Sequence, residues 1–440
     1  MTSRKTSSGP RHQPNSPRQP APAPQAGPSL LTPRTFLPAA PADAPADQPP
    51  AHIPVVQLRS VRRHPSLFRK LVGKVDRSAR PGDFVRLLAP QGETLGYGFY
   101  NPMAEIAVRV WSWGPQLPGP DTVGQRLDRA LALRRDLLQL DSQTTAQRLI
   151  HAESDGFPGL VIDRYGDVLS AETFSLAMYQ RVDAVLDLLE ARLGTRHRVV
   201  QAPAKTHGQE GFTAPARLSE GCPTSVVVEE FGTKFRVDFE AGHKTGFFCD
   251  QRDNRRQLAH WTKGRTVLDL CCYTGGFALQ AAILGHAASV TAVDLDEGAL
   301  ATARANAKLN RANIRFVQDD AFQHMRNLIS EGKTYEVVIL DPPKLIRNRA
   351  ELEAGERKHL DLNRLAMQIV APGGLLLTCT CSGLLGEPEF LRLLQTAARQ
   401  AGTGRTIQIL QRTGAAADHP VLGDVPETEY LHAAWLRVLE

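Results

Sequence analysis

The chain has 440 residues, of which 42% are hydrophobic, and this is enough for two or three domains with buried cores. It contains no run of the roughly 18 apolar residues that a membrane span needs, and its six cysteines show neither a disulfide framework nor paired zinc-ligand spacing. We therefore expect a cytoplasmic protein without signal peptide, membrane segment or metal site, and its net charge of +6 allows an anionic partner.

The first segment, residues 1–52, contains 13 of the 31 prolines and almost no aliphatic periodicity. A segment of this composition cannot bury enough apolar surface to offset the entropy lost on folding. We therefore predict a disordered Pro/Ala-rich tail over residues 1–52, whose removal should leave the activity of the remaining chain nearly intact.

Residues 53–125 have the pattern of a small β-rich domain. Short strand-like pieces, separated by turn-forming residues, lie at 84–88, 95–98 and 105–110. Between Ile53 and Pro90 there are nine Lys or Arg residues and only two Asp, which gives a net charge of +7. A solvated charged face normally mixes both signs, so this excess favours a surface that contacts phosphates. The candidates for these contacts are Arg62, Arg63, Lys70 and Lys74.

Residues 126–228 are predicted to form a central α+β domain. A helical stretch is predicted over Val123–Leu140, across the start of this domain. The segment AESDGFPGLVIDRYGDVL (152–169) then shows a turn–strand–turn–strand pattern, which predicts a hairpin.

From residue 229 to residue 440 strands and helices alternate. The predicted strands lie at 266–270, 289–294, 314–317, 336–340 and 374–380, with two more near 405–410 and 432–438. The predicted helices lie at 276–284, 297–309, 321–331, 355–370 and 387–401. This alternation predicts an α/β fold with a doubly wound, Rossmann-like and mostly parallel sheet, whose sites lie at the carboxyl ends of the strands.

The first strand of this sheet leads into a tight turn that suits a cofactor. In TVLDLCCYTGGFAL, Asp269 ends the strand and Gly275-Gly276 opens a helix, so the backbone can approach a ligand closely. The segment resembles the D-x-G-x-G-x-G loop of class I S-adenosylmethionine methyltransferases, with Cys271 and Tyr273 in place of the first two glycines.

The next two strands also end in carboxylates. Asp294 follows Gly275 by 19 residues, about where an acidic side chain accepts ribose hydroxyls. Asp319-Asp320-Ala321 ends the third strand and is suited to accept from an adenine amino group. Each Asp could instead be a helix N-cap, but three of them on consecutive strands favour an adenosyl cofactor.

The fourth and fifth strands end in LDPPK and LLLTCTCSG. C5 of a pyrimidine becomes nucleophilic enough to accept a methyl group only after a thiolate adds to C6. Cys379 and Cys381 are two residues apart and face the same way in a strand, so their spacing does not choose between them. Lys344 stands where methyltransferases of exocyclic amines place a stacking aromatic residue, which argues against amine methylation.

Several motifs occur together in a fixed order along the chain: GHKTGFFCDQRDNR (242–255), LDLCCYTGGFA, LDPPK, LLLTCTCSG and AADHPV (416–421). With RRHPSLFRK (62–70) and the central hairpin segment, they resemble the bacterial family of 23S ribosomal RNA cytosine-C5 methyltransferases over residues 53–440. The resemblance implies a PUA-like RNA-binding domain over 53–125 and a methyltransferase domain over 229–440. It also implies S-adenosyl-L-methionine as cofactor and 5-methylcytosine in 23S ribosomal RNA as product.

By this resemblance Cys381 matches the nucleophile, and Asp341 holds the polar edge of the pyrimidine or the end of the cofactor. Lys344 is a further catalytic candidate. The cofactor-binding candidates are Gln251, Asp269, Tyr273, Thr274, Gly275, Asp294, Asp320, Ala321 and Asp341. The RNA-binding candidates are the four basic residues named above.

Several alternatives stay open at this point. The base that removes the C5 proton is Asp341, Lys344, Asp418 or a water molecule, and the role of Cys379 is undefined. Uridine-C5 methylation uses the same thiol chemistry, and a non-catalytic RNA-binding or ribosome assembly factor is the alternative from another class. A homodimer is possible, and the target nucleotide is not predicted.

Overall fold

The computed structural model describes residues 30–37, 52–239, 246–402 and 405–439. Among the helices of these ranges, none combines the length and the apolar composition needed to cross a bilayer.

The first sheet has the strands β1 (Val55–Leu58), β2 (Ser66–Phe68), β3 (Val72–Val75), β4 (Asp83–Leu88), β5 (Thr94–Tyr100) and β6 (Ile106–Trp113). They are arranged in the order β2-β6-β5-β4-β1-β3. Alternate side chains face a closed core, in which Val56, Leu67 and Val85 are fully buried. The four RNA-binding candidates Arg62, Arg63, Lys70 and Lys74 are all exposed on this domain.

The second sheet has the strands β7 (Ala146–His151), β8 (Leu160–Tyr165), β9 (Val168–Thr173), β10 (His197–Gln201) and β11 (Arg217–Leu218), in the order β11-β10-β9-β8-β7. Its helices are α1 (Thr122–Ala132), α2 (Leu176–Tyr179), α3 (Val182–Leu193) and α4 (Ala204–Glu210). The antiparallel pair β8 and β9 is the predicted hairpin, which the structure confirms.

The helix predicted over Val123–Leu140 is wrong in its second half. α1 ends at Ala132 and passes into a single π-helical turn, Leu133–Leu137. In this turn the fully buried guanidinium of Arg134 donates to both carboxylate oxygens of Asp155, at 2.7 and 2.8 Å. Gln139 then takes a left-handed φ of 51° before a short 3₁₀ turn. Apolar periodicity does not distinguish such a single π turn from the α-helix that it follows.

Two predicted domain boundaries fall inside elements. The boundary after residue 125 cuts α1, whose Val123 and Leu127 belong to the core of the second sheet. The boundary after residue 228 cuts β12 (Ser225–Glu230), which pairs with β13 (Thr233–Asp238) in a separate two-stranded sheet. We therefore propose to move the divisions to positions before Thr122 and before Ser225.

The third sheet has the strands β14 (Thr266–Leu270), β15 (Ser289–Asp294), β16 (Arg315–Gln318), β17 (Tyr335–Leu340), β18 (Val370–Thr380), β19 (Thr406–Thr413) and β20 (His432–Leu439). Its helices are α5 (Arg252–Ala259), α6 (Gly276–Ile283), α7 (Glu297–Leu309), α8 (Ala321–Ser330), α9 (Leu352–Ile369) and α10 (Glu387–Gln400).

The strand order of this sheet is β16-β15-β14-β17-β18-β20-β19. The five strands from β16 to β18 are parallel, and β20 runs antiparallel to both of its neighbours. The sheet is the predicted doubly wound, Rossmann-like one. Its chain order reverses between β14 and β17, so a ligand cleft is expected outside the carboxyl ends of these strands.

Part of the predicted tail is packed against the domains, so the prediction of disorder is wrong for residues 30–37. Phe36 is only 8% exposed, and its ring centroid lies 5.1 Å from that of Trp111 in β6. The Arg34 backbone N–H donates to the Gln180 carbonyl at 2.8 Å. Arg181 donates from Nε to the carbonyl of Thr35 at 2.8 Å. The predictions for residues 1–29 and 38–51 lie outside the described residues.

Candidate active site

A cavity of about 800 Å³ opens at the carboxyl ends of β14, β15, β17 and β18. Seven predicted cofactor-binding residues lie on its wall, namely Gln251, Tyr273, Thr274, Asp294, Asp320, Ala321 and Asp341. The catalytic candidates Cys381 and Lys344 line the same cavity. The fold therefore brings residues from six separate segments of the chain to one cavity.

The loop after β14 has a left-handed backbone at two residues that are not glycine. Cys271 and Tyr273 have φ angles of 60° and 49°, a conformation that costs an L-residue with a side chain about 1–2 kcal/mol. The Tyr273 N–H donates to Asp294 Oδ2 at 2.8 Å, which holds the loop against β15. Strained backbone that persists in this way is typical of a ligand-binding turn.

Two of the predicted cofactor-binding residues, Asp269 and Gly275, are not among the described residues on the cavity wall. Asp269 is 1% exposed, and its Oδ2 accepts from the Ala278 N–H at 2.9 Å. Burial raises the pKa of Asp269 against the opposing effect of this hydrogen bond. Gly275 has a φ of 84° at the start of α6, which favours glycine. Both residues therefore contribute to the conformation of the turn without lining the cavity.

Asp294 at the end of β15 and Asp320 after β16 both lie on the cavity wall, and Asp320 also caps a helix. Asp294 Oδ1 accepts from the Asp296 N–H at 2.9 Å. Asp320 caps α8 by accepting from the Gln323 N–H at 3.1 Å, so the N-cap interpretation holds for Asp320 but not for Asp294, because the N-cap of α7 is Asp296. The apolar side chains of Leu295 and Phe322 line the cavity beside them. Acceptors for ribose hydroxyls and an adenine amine, together with apolar faces for the ring, fit an adenosyl group.

The two thiols at the end of β18 lie in different environments. Cys381 lines the cavity and is partly exposed. Cys379 is 0% exposed, packs in the core of the third sheet and pairs with Ala433 of β20. Burial raises the pKa of the Cys379 thiol well above its ordinary value, which disfavours the reactive thiolate. Of the two, Cys381 is the one on the cavity wall.

The three side chains that are candidates for accepting the C5 proton, Asp341, Lys344 and Asp418, lie in different surroundings. Asp341 accepts from Gln251 Nε2 at 3.0 Å, and Lys344 is an exposed residue of the cavity wall. Asp418 is fully buried and binds both terminal nitrogens of Arg252, at 2.8 and 2.9 Å.

Asp418 joins two domains instead of serving the cavity. Its Oδ2 also accepts from the backbone N–H of Arg148 in β7, at 2.8 Å. Burial alone would raise the pKa of Asp418, but His419 and Arg252 outweigh this and hold it well below its usual range. The proposal of Asp418 as a proton acceptor is therefore wrong, because the carboxylate is committed to a buried ion pair away from the cavity.

Sequence reasoning missed a pair of residues on the wall. The Tyr430 hydroxyl donates to Asp250 Oδ2 at 2.6 Å, and both residues line the cavity. Burial raises the pKa of Tyr430 well above its ordinary value. Asp250 lies in the motif GHKTGFFCDQRDNR, which is the one signal for it, whereas Tyr430 is 180 positions away in no motif.

The second sheet closes one side of this region. A smaller cavity of about 140 Å³ adjoins the first and shares Asp250 and Tyr430 with it. Its wall includes Arg148 of β7 and Glu172 of β9. The central domain therefore borders the space around Tyr430.

The basic segment of the first domain reaches the methyltransferase part of the chain. His64 Nε2 lies 3.5 Å from Glu427 Oε2. Arg62 and Arg63 immediately precede His64, and Glu427 lies three residues before Tyr430. The first domain thus contacts the segment that leads to Tyr430 on the cavity wall.

Comparison with known families agrees with this architecture. A model of S-adenosylmethionine-dependent methyltransferases matches residues 187–433, and a model of PUA-like domains matches residues 58–113. The chain is 38% identical over 385 residues to a ribosomal RNA large subunit methyltransferase I of Shewanella frigidimarina, covering 86% of this chain and 96% of that protein. It is also 38% identical over 386 residues to the protein of the same name from Vibrio cholerae, again covering 86% and 96%.

Solved structures share the fold at lower identity. One is a crystal structure of a methyltransferase complexed with SAH, which aligns over 87% of this chain and 99% of that chain with a TM-score of 0.72 at 20% identity. Another, a SAM-dependent methyltransferase from Streptococcus mutans, aligns over 88% and 100% with a TM-score of 0.71 at 20% identity. These two likenesses concern the fold.

Proposed function

Because the chain belongs to the family of S-adenosylmethionine-dependent methyltransferases that includes ribosomal RNA large subunit methyltransferase I, we propose that it methylates C5 of a cytosine in 23S ribosomal RNA. The chain is a methyltransferase of large-subunit ribosomal RNA, and the base, the carbon atom and the covalent step are the proposal. The observation that carries it is the position of Cys381 on the same cavity wall as Asp341 and Asp294.

In the proposed reaction Cys381 is the nucleophile. Its thiolate bonds to C6 of the pyrimidine, and the electron pair of the C5–C6 double bond becomes available at C5. Bound S-adenosylmethionine supplies the electrophilic methyl group. After methylation, loss of the C5 proton returns an electron pair to the C5–C6 bond, which expels the thiolate and regenerates Cys381. Asp341, Lys344 and a water molecule are the remaining candidates for accepting this proton.

We assign to Asp341 the discrimination between cytosine and uracil. Its carboxylate accepts from Gln251 Nε2 at 3.0 Å and so serves as an acceptor at the cavity wall. Cytosine carries an amino donor at C4, where uracil carries a carbonyl oxygen that a carboxylate would repel. A site that hydrogen-bonds a substrate amine discriminates strongly against an analogue that lacks it.

The PUA-like domain is proposed to dock the RNA through its phosphates. Arg62, Arg63, Lys70 and Lys74 are exposed on this domain, and phosphate contacts of such residues fix orientation without reading sequence. The target base must then leave its stack to reach Cys381. A non-catalytic assembly factor would not need Asp294, Asp341 and Cys381 together on one wall. We expect the enzyme to act in the cytoplasm, on ribosomal RNA.

Mass spectrometry of ribosomal RNA nucleosides tests the proposal. Large-subunit RNA from a strain that lacks the gene should lose one 5-methylcytidine, and the wild-type chain should restore it. Loss of 5-methyluridine instead would assign the enzyme to uridine. Unchanged nucleosides with altered subunit assembly would favour the non-catalytic factor.

Cofactor binding should depend on Asp294. Asp294→Ala is expected to weaken S-adenosylmethionine binding at least tenfold, or about 1.4 kcal/mol, because it removes a charge-assisted acceptor and also releases the Tyr273 N–H. Titration calorimetry measures the change. Glu297→Ala is the control, since Glu297 is an exposed carboxylate at the start of α7 that pairs with Arg304. An unchanged affinity of Asp294→Ala would contradict the assignment.

RNA affinity should depend on the basic face. Charge reversal of Arg62, Arg63 and Lys70 together is expected to weaken binding and to flatten its salt dependence, because fewer counterions are released. Binding assays at several salt concentrations measure the slope. Reversal of Lys308, Arg311 and Arg315, which are equally exposed near the far edge of the third sheet, is the matched control. Equal slopes for the two triple variants would rule out this face as the docking surface.

A further inference from the structure

A chain of four side-chain hydrogen bonds ends at Asp341. Trp435 Nε1 donates to Thr413 Oγ1 at 2.9 Å, and Thr413 Oγ1 donates to Asn254 Oδ1 at 2.7 Å. Asn254 Nδ2 donates to Gln251 Oε1 at 2.6 Å, and Gln251 Nε2 donates to Asp341 Oδ2 at 3.0 Å. The chain connects β20, β19 and α5 with the segment that follows β17.

Most of the residues in this chain of hydrogen bonds are shielded from water. Trp435 is 0% exposed, Asn254 2% and Gln251 3%. Hydrogen bonds in such an environment are strong and costly to leave unmade, because no water replaces a lost partner. The chain is therefore expected to behave as one unit.

The donors and acceptors at its ends fix its direction. An indole N–H can only donate, and a carboxylate can only accept, so each group between Trp435 and Asp341 has one permitted orientation. Asn254 Nδ2 donates additionally to the carbonyl of Gly414 at 3.1 Å, which also keeps its amide from turning. As a consequence Gln251 presents its amino group, and not its carbonyl, to Asp341.

We propose that Asn254, Thr413 and Trp435 are positioning residues that act through Gln251 to hold Asp341 in the orientation that selects cytosine. This inference rests on the proposed function. If a hydrogen bond of this series were lost, the Gln251 amide could turn and bring its carbonyl oxygen to the Asp341 carboxylate. The two oxygens would repel each other, and Asp341 would leave its position at the pyrimidine edge.

The test compares two substitutions of Thr413, one that removes its hydroxyl and one that keeps it. Thr413→Val removes the donor to Asn254 in a nearly isosteric side chain, and Thr413→Ser keeps it. Thr233→Val is the matched control, since the buried Thr233 hydroxyl also donates to a side-chain amide oxygen, Gln280 Oε1 at 3.1 Å, away from the cavity wall. A fourth variant, Asn254→Asp, has an acceptor where Gln251 Oε1 requires a donor.

The measurements use the full chain and RNA fragments with cytidine or uridine at the mapped target position. Thr413→Val should lower kcat on the cytidine fragment roughly tenfold. It should also lower the ratio of the methylation rate on the cytidine fragment to the rate on the uridine fragment. Asn254→Asp should lower kcat further. Thr413→Ser and Thr233→Val should keep the wild-type kcat and ratio, and S-adenosylmethionine affinity should be unchanged in all variants of Thr413.

The outcomes separate the inference from the proposed function. If Thr413→Val matches Thr233→Val in kcat and in base ratio, while the wild type forms 5-methylcytidine, the positioning role is wrong and the proposed function stands. If the wild-type chain forms no 5-methylcytidine, both fail. A thermal midpoint lowered equally in Thr413→Val and Thr233→Val, with kcat lowered only in the former, supports the positioning role.

Discussion

Cys381→Ala should abolish both 5-methylcytidine formation and the covalent capture of RNA that carries 5-fluorocytidine at the target position. The thiolate adds to C6, and the adduct breaks down only when the C5 proton leaves. Fluorine replaces that proton, so the wild-type enzyme should stay bound to the RNA. Loss of the nucleophile should lower the methylation rate by at least roughly a thousandfold. A band that survives denaturing electrophoresis reports the adduct.

Cys379→Ala is the matched control, because it removes the neighbouring thiol from the same strand. Cys379 is buried in the core and does not belong to the described cavity wall. The variant should keep methylation and capture but lose roughly 1 kcal/mol of stability, since deletion of a buried sulfur leaves a small cavity. The opposite pattern would move the nucleophile to Cys379. Failure of the wild-type enzyme and of both variants to capture this RNA would contradict the covalent mechanism.

The sequence predicted the third sheet well because its elements are long and strongly periodic. The predicted strand 289–294 coincides with β15, and the predicted helix 297–309 coincides with α7. Local signals sufficed here, since β15 is a short apolar run and α7, which follows it, begins at an Asp N-cap, Asp296. Because sites in such sheets lie at the carboxyl ends of the strands, the sequence also predicted a common site for Asp294, Asp341 and Cys381. All three line the cavity.

The errors concern features that depend on distant partners. The π turn after α1 contains Arg134, which pairs with Asp155, and Asp418 binds Arg252 in a buried ion pair. Tyr430 reaches the wall through a partner 180 residues earlier in the chain. Local periodicity carries no information on such contacts. The choice between Cys379 and Cys381 was likewise open, because residues i and i+2 share a face until the strand ends.

The packing of residues 30–37 also depends on contacts with residues that are distant in sequence. A substitution in this segment is therefore expected to have a large effect on stability. Phe36→Ala should lower the free energy of unfolding by about 3–5 kcal/mol, because a buried aromatic side chain is lost. The Phe36 ring lies 6.2 Å from that of Phe99 in the first sheet and 6.5 Å from that of Phe157 in the central domain, centroid to centroid. Denaturant unfolding measures the change, and Phe68→Ala, which truncates a Phe that is 44% exposed, is the control.

Deletions that end on either side of this segment provide the decisive comparison. Removal of residues 1–29 should leave unfolding and methylation unchanged. Removal of residues 1–37 should reproduce the loss seen for Phe36→Ala and also remove the ion pair of Arg34 with Asp83. Because the segment contacts both the PUA-like sheet and the central domain, its loss should let these two parts move relative to each other. The KM for RNA should then rise while the affinity for S-adenosylmethionine stays the same. If removal of residues 1–37 changes neither unfolding nor the KM for RNA, residues 30–37 do not join the domains.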